Sequence, residues 1–408
     1  PGYTDSAARP QLFTPRLAAT MDAMTQATVA PPTTATGPRS AAALRLYFLD
    51  HLRAVIILLV ILLHAAMTYM AYPPQWWYVI EPENSLALTG LVLLLDVPNM
   101  QILFFIAGFF AYGSLEKAGP GRFVRQKVLR LGLPWLVGVV FLAPLVTYLI
   151  PFSRGIAPSY LEFWTGQFWS TYYQQSVYWF LGVLLLLFAG LAALYKWEPS
   201  LQGIPRRAQI PHWTLFVKFW AYMTLWFFVA GTVAPVDTWL NALKVIAYQP
   251  ARLLLYGGYF VLGIIADRRG WFRADGFRPD PGWWGMAAFM SGMAYVGVQL
   301  GTTGGGLLLL AIEAALFNAF CLAALMAATA LFQQYVNRPT RAWSSLGRNA
   351  YAIYYVHPLI LYPATYAALA IGAPIFLEVA ALTVFTALAA WVVGALVLTR
   401  LPLLRRIF

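Results

Sequence analysis

Ionisable side chains within long apolar segments are the residues of this chain most suited to chemistry, because a charge in hydrocarbon is costly and usually functional. Arg53 and His64 lie in the first such segment, eleven positions apart. On an α-helix this spacing is three turns plus roughly 20°, or about 16 Å of rise, so both side chains share one face. Asp50 lies one turn before Arg53 on nearly the same stripe. The pattern predicts a polar line on one helix, ending at a His64 imidazole that can accept a proton.

A structural role explains the same three residues equally well. Arg53 would extend to the membrane interface, Asp50 would pair with it, and His64 would be a hydrogen-bonded contact between helices.

His357 and Glu313 lie in two later apolar segments at depths close to that of His64. The standard helical rise places His357 about 14 Å and Glu313 roughly 10 Å into their segments. The three groups would converge if these helices pack together. The structural alternatives are a helix kink at Pro358, which frees a backbone carbonyl that polar neighbours must satisfy, and a protonated Glu313 bonded to Asn318 or to a neighbouring helix.

The composition indicates what holds these residues. Of 408 residues, 61% are hydrophobic and 10% are charged, and the mean hydropathy is +0.66, which excludes a soluble protein. Crossing about 30 Å of hydrocarbon takes about 20 helical residues. Runs of that length predict an all-α, polytopic transmembrane bundle of about ten spans. They are 46–70, 86–113, 131–150, 176–195, 212–234, 250–266, 282–300, 306–332, 349–370 and 374–399.

Polar residues interrupt the second run. Asp96, Pro98, Asn99 and Gln101 fall in its centre. Such an interruption is typical of a broken or re-entrant helix whose freed backbone groups are satisfied by neighbouring protein.

The segment before the first span differs from the rest of the chain. Residues 1–44 are rich in Ala, Thr, Pro and Ser and show no sustained apolar period, so we predict a disordered segment there and a membrane domain over 45–408. Pro1 opens the sequence, and Met21 or Met24 would serve as a natural start.

The charges indicate topology. Lys and Arg number 27 against 15 Asp and Glu, a net charge of +12. Most of these cations lie in alternate loops, which predicts that both termini are cytoplasmic. The excess therefore needs no nucleic-acid partner. The single cysteine, Cys321, lies in an apolar run, so neither a disulfide framework nor a metal site is expected.

Five motifs, in order, are similar to those of one family. They are 47–54 followed by His64 (an Arg-x10-His arrangement), FFIAGF at 104–109, RFVR at 122–125, YWFL at 178–181 and GRNAYAIYYVH at 347–357. Over residues 45–400 the chain resembles the acyltransferase-3 family of integral membrane acyltransferases. It departs at Ala107, where the family usually has Ser, and at 99–101, where a basic-Met-Pro stretch is common. The layout fits the subgroup without a fused extracytoplasmic hydrolase-like domain.

The resemblance implies an enzyme of the bacterial cytoplasmic (inner) membrane that moves an acyl group from cytoplasmic acyl-CoA to a hydroxyl group, often on a cell-envelope glycan. His64 would be the general base, and Arg53 with its partner Asp50 would be the other catalytic positions on the same helix face. The guanidinium groups of Arg122 and Arg125, like that of Arg53, suit the phosphates of coenzyme A, although topology alone explains the 122–130 cluster too. The remaining substrate-binding positions that the resemblance suggests are Asn99, Trp179, Glu313, Tyr355 and His357.

Outer-loop aromatic residues could stack on sugar faces, although an interfacial belt explains them better. They are Trp76, Trp77, Trp164, Trp169, Tyr172 and Tyr173. The expected partners are acyl-CoA, a glycan or small molecule bearing the acceptor hydroxyl, and the lipid bilayer. Formation of a homodimer is left open.

A proton-coupled transporter or flippase is the competing interpretation. His64, Glu313 and His357 would then form a proton relay, and the interrupted second helix would bind the substrate. Such transporters usually contain a paired internal repeat, and the sequence has no second Asp-x-x-Arg-x10-His.

Overall fold

The computed structural model describes residues 46–242, 245–273, 275–302, 304–398, 400 and 407. The predicted disordered segment 1–44 lies outside these residues, as do the loop cations at positions 39, 45, 244, 405 and 406.

Ten long helices, a short helical segment at 160–170, a 3₁₀ turn at 199–201 and one small hairpin form the regular structure of the described residues. The helices are α1 (Tyr47–Met67), α2 (Leu86–Ala118), α3 (Pro120–Ser153), α4 (Ser176–Trp197), α5 (Trp213–Val233), α6 (Pro250–Arg268), α7 (Pro281–Gly301), α8 (Leu307–Tyr335), α9 (Arg341–Ala368) and α10 (Ile375–Val393). An antiparallel hairpin of β1 (Leu240–Ala242) and β2 (Ile246–Tyr248) precedes α6. The prediction of an all-α bundle is confirmed.

Each predicted apolar segment coincides with one of these helices. Seven, α1 to α5, α8 and α10, are long and apolar enough to cross a membrane by length and composition. The other three, α6, α7 and α9, carry more polar or small residues, among them Arg252, Asp267 and Arg268 in α6 and Arg341 and Arg348 in α9.

The second helix is continuous, so the prediction of a broken or re-entrant segment was wrong. Helix α2 runs from Leu86 to Ala118 with Pro98 in its interior. Pro98 and its neighbours Val97 and Asn99 are buried against other helices. Tertiary packing therefore maintains the helix although Pro98 has no amide hydrogen and one backbone hydrogen bond is lost.

Helix α3 begins earlier than predicted. After Gly119, whose φ of +74° turns the chain, the helix starts at Pro120, so Arg122 and Arg125 are helical rather than part of a loop. Two π-helical segments, Val128–Gly132 and Gly138–Leu142, follow along α3. Wider turns of this kind often occur at functional sites.

Helix α1 lies at the centre of the fold and packs against α2, α8, α9 and α10. Helix α2 also packs closely on α6. A Cβ on Gly108 would lie 1.9 Å from the Phe260 carbonyl oxygen, and one on Gly263 would lie 2.1 Å from the Phe105 carbonyl oxygen. These glycines let the two backbones approach, as small residues commonly do between membrane helices.

Candidate functional site

Two histidines from distant parts of the sequence are in contact. His64 on α1 and His357 on α9 lie 3.1 Å apart, Nδ1 to Nε2. Their rings are stacked with centroids 5.3 Å apart. The structure thus brings together the two histidines that the sequence placed at similar depth.

A backbone carbonyl determines the proton positions in this pair. Pro358 lacks an amide hydrogen, so the Tyr354 carbonyl, four residues earlier, loses its helical donor. His357 Nδ1 lies 2.8 Å from this oxygen. Because a carbonyl can only accept, Nδ1 of His357 donates and its Nε2 accepts. His64 Nδ1 must then donate to His357, which leaves the lone pair of His64 on Nε2.

His64 lines a cavity of about 690 Å³. The cavity wall is rich in aromatic side chains, including Trp76, Trp77, Tyr78, Trp179, Trp239 and Tyr362. No hydrogen bond within the described residues occupies Nε2 of His64. A molecule bound in this cavity would therefore meet an unprotonated nitrogen, with aromatic faces around it.

Two tyrosines outside the helices line the same cavity as neutral phenols. Burial raises the pKa of Tyr78. Burial also raises the pKa of Tyr173, although a hydrogen bond from Gln175 Nε2, at 2.8 Å, acts in the opposite direction. Both side chains can donate hydrogen bonds to an acceptor at neutral pH.

An ion-pair network also borders the cavity that His64 lines. Arg252, at the start of α6, has a side chain only 7% exposed. Its Nη2 lies 2.6 Å from Asp96 Oδ2 on α2 and 3.3 Å from Asp237 Oδ1. Its guanidinium also lies over the Phe317 ring, 5.5 Å from the centroid. Asp96 is thus paired, as a carboxylate among apolar helices must be.

A second cavity, of about 310 Å³, is lined mostly by apolar residues and by four cationic side chains. They are Arg53 from α1, Lys127 and Arg130 from α3, and Arg348 from α9. Arg53 Nη2 donates to the Gly347 carbonyl at 3.3 Å and lies 3.7 Å from Asp50 Oδ1. Four cations with one nearby carboxylate give this cavity a strongly positive lining.

Arg53 and His64 share a helix face but line different cavities. Arg53 lines the smaller cavity and His64 the larger. Asp50 pairs with Arg53 and lines neither. The three predicted catalytic residues are therefore divided between two sites about 16 Å apart along α1.

The other predicted residues fall in several places. Glu313 and Trp179 line the larger cavity with His64. Arg122 and Arg125 are exposed and line neither cavity.

Asn99 and Tyr355 are buried away from both cavities. Tyr355 donates to the Pro134 carbonyl at 3.0 Å and so links α9 to α3. Of the outer aromatic residues, Trp76, Trp77 and Tyr173 line the larger cavity, whereas Trp164, Trp169 and Tyr172 do not.

Sequence reasoning missed the Arg252 network and the roles of Lys127, Arg130 and Arg348 in the smaller cavity. A signal for the first was present: Asp96 within a span requires a cationic partner, and Arg252 is a cation at the edge of another span. The other three cations were assigned to topology, which the sequence could not separate from ligand binding.

Comparison with known proteins determines the family. A family described as an acyltransferase domain matches residues 46–396. The chain belongs to this acyltransferase-3 family. It is an integral membrane protein of the family, and both cavities and all the residues described above lie within the matched region.

Curated relatives carry the name glucans biosynthesis protein C. The protein from Salmonella gallinarum is 24% identical over 226 residues, which cover 54% of this chain and 58% of the relative. The protein from Escherichia coli K12 is 30% identical over 116 residues, which cover 28% of this chain and 29% of the relative. The chain thus aligns with less than two thirds of either relative. No solved structure matches it significantly.

Proposed function

We propose that this acyltransferase-3 protein transfers an acyl group from acyl-CoA, bound at the smaller cavity, to a hydroxyl group of an acceptor in the larger cavity. The observation that carries the proposal is the chain from the Tyr354 carbonyl through His357 to His64, which leaves His64 Nε2 as the proton acceptor beside the larger cavity.

In the reaction, the acceptor oxygen attacks the thioester carbonyl carbon, and a C–O bond forms. His64 Nε2 takes the hydroxyl proton, which makes the alcohol a competent nucleophile. The C–S bond then breaks, and His64 returns the proton to the departing thiolate. His357 holds the His64 ring through Nδ1 and supports the positive charge that His64 gains, without itself contacting the acceptor.

The smaller cavity suits the donor because coenzyme A carries several phosphate groups. Guanidinium and ammonium groups bind phosphate through charge-assisted hydrogen bonds. Arg53 and Lys127 are the more enclosed of its cations, and Lys127 lies over the Phe188 ring at 4.2 Å from the centroid. The exposed Arg122 and Arg125 lie on the helical turns before Lys127, where they would attract the donor from a distance.

Salt dependence distinguishes these two kinds of cation. We expect Arg53→Gln or Lys127→Gln to weaken acyl-CoA binding about tenfold at both low and high salt, since each loses a close charged contact. The double variant Arg122→Ala/Arg125→Ala should weaken binding mainly at low salt, because exposed charges are screened. Calorimetric titration with a non-hydrolysable acyl-CoA measures both. Unchanged affinity in folded Arg53→Gln and Lys127→Gln proteins would remove the donor from this cavity.

The larger cavity suits the acceptor because aromatic walls stack on sugar faces and its carboxylates accept hydroxyl hydrogen bonds. The relatives' name refers to glucans, so a cell-envelope glycan is the acceptor class that we propose. This placement puts the acceptor on the outer side of the inner membrane, with the donor on the cytoplasmic side.

We propose ten membrane crossings with both termini in the cytoplasm. Contacts between loops support this topology. Predicted outer loops meet where Arg154 donates to the Gln75 carbonyl at 2.7 Å. Predicted inner segments meet where Arg206 pairs with Asp267 at 3.0 Å. Two loops can meet only if they lie on the same side of the bilayer. An even number of helices must therefore cross the membrane between the two members of each pair, as the ten-span arrangement requires.

Cysteine labelling tests this topology. A cysteine in place of Lys117 should react with a membrane-impermeant reagent only from the cytoplasmic face, and one in place of Glu83 only from the other face. Labelling of both positions from the same face would contradict the ten-span arrangement, and with it the assignment of the donor side.

The proton relay of a transporter would need His64 to contact His357 and Glu313 to contact one of the two histidines. Only the first of these contacts is present among the described residues. His64 meets His357, whereas no hydrogen bond links Glu313 to either histidine among the described residues. Saturable binding of coenzyme A by the purified protein would favour the enzyme, because a relay has no need of that ligand.

A further inference from the structure

Tyr354 lies between the two cavities. Among the described residues it alone lines both the larger and the smaller cavity. It is nevertheless only 4% exposed. A side chain that is nearly inaccessible yet borders two cavities forms part of the wall that separates them.

Contacts on either side hold the Tyr354 ring in place. Its hydroxyl donates to the carbonyl of Val177, a residue that lines the larger cavity. Its ring meets the edge of Phe180, a residue that lines the smaller cavity, at 5.7 Å between centroids. The ring therefore spans the start of α4, from one cavity to the other.

The backbone of the same residue positions the catalytic pair. The Tyr354 carbonyl accepts from His357 Nδ1 and so determines which nitrogen of His64 carries the lone pair. Tyr354 thus belongs to both the wall and the histidine chain.

We propose that Tyr354 is the partition that the acyl arm of the donor must displace to reach His64. This inference rests on the proposed function, since it requires the donor to bind in the smaller cavity and His64 to act in the larger one. The ring releases the Val177 carbonyl and turns aside when the arm enters. With no donor arm present, it separates the positively charged cavity from the water of the larger cavity. Tyr354 is a positioning residue, because its action is to control access to His64.

Accessibility of cysteines tests the partition without reference to any donor. In a Cys321→Ser background, which retains a hydrogen-bond donor toward the Val97 carbonyl, one cysteine is introduced at Met100, which lines only the larger cavity, or at Leu184, which lines only the smaller one. Membrane-impermeant thiol reagents are applied to either face of reconstituted vesicles.

We expect each cysteine to react from one face, and from opposite faces for the two positions, while Tyr354 is present. Adding Tyr354→Ala should make both positions reactive from both faces, whereas Tyr354→Phe, which retains the ring and its contact with Phe180 and loses only the bond to Val177, should do so far less. Labelling that stays one-sided in the folded Tyr354→Ala protein would overturn the partition. Labelling from both faces with Tyr354 intact would overturn it too.

Hydrolysis of acyl-CoA without an acceptor tests the link to the reaction. Without the partition the acyl arm should reach the water of the larger cavity more often, so Tyr354→Ala should hydrolyse acyl-CoA about tenfold faster than the unsubstituted protein. Tyr354→Phe should accelerate this hydrolysis less than Tyr354→Ala, because it retains the ring. Two-sided labelling without added hydrolysis would uphold the partition and contradict the placement of the donor in the proposed function.

Discussion

Replacing His64 with alanine is expected to slow acyl transfer by about 10²–10⁴-fold, the contribution that general-base assistance typically makes. Acyl-CoA binding should be retained, because His64 lines the larger cavity and the cations that suit coenzyme A line the smaller one. Turnover and donor affinity are measured on the same purified protein.

Replacing His357, the partner of His64, gives a second rate for comparison. His357→Ala should slow the reaction less than His64→Ala, because it removes the group that orients the base but leaves the base itself. His51→Ala is the matched control. His51 is another histidine of α1 and is buried, but it stacks on Trp343 and bonds the Val336 carbonyl at 2.7 Å. Near-normal turnover by a folded His64→Ala protein would exclude His64 as the base and leave His357 or Glu313 for that role.

The Asp96 carboxylate is expected to make a large contribution to stability. Asp96→Ala removes the closer of the two carboxylates that pair with Arg252, whose side chain is 7% exposed. Removing one partner of a buried ion pair costs about 3–5 kcal/mol. Because the Asp96 side chain is 36% exposed and Asp237 still lies 3.3 Å from Arg252, the loss here should be about 2–3 kcal/mol. We expect a loss of that size in the free energy of unfolding, measured with denaturant in detergent micelles.

Two further variants determine whether the charge is the cause. Asp237→Ala should cost less than about 1 kcal/mol, because the Asp237 side chain is 80% exposed and such pairs contribute little. Adding Arg252→Met to Asp96→Ala should restore part of the lost stability, since it removes the uncompensated charge. A double variant less stable than Asp96→Ala alone would show that Arg252 acts through packing, for instance on Phe317, and not through its charge.

The helices of this fold were predictable from sequence, whereas their polar contacts were only partly so. A helix in a membrane must satisfy its own backbone groups, so each long apolar run marks one helix regardless of its neighbours. The same rule failed at Pro98, since burial against neighbouring helices keeps α2 helical through a residue that usually interrupts an exposed helix.

The candidate site shows a similar division. Depth along the helix correctly suggested that His64 and His357 could meet, although 293 positions separate them. A shared face did not imply a shared site for Arg53 and His64. Three helical turns separate their side chains along the axis, and each end of that line opens into a different cavity.

The contribution of Tyr354 could not be read from its position in the GRNAYAIYYVH motif. Its partition depends on the packing of α9 against the start of α4 and on the carbonyl that Pro358 leaves without a helical donor. Both are consequences of the tertiary fold.

A structure of the protein with a non-hydrolysable acyl-CoA analogue tests the central claim most directly. The phosphates should contact Arg53, Lys127, Arg130 and Arg348. The Tyr354 ring should have left the Val177 carbonyl, and the acyl carbonyl should lie beside His64. Phosphates bound in the larger cavity, or an acyl group that ends away from His64, would contradict that claim.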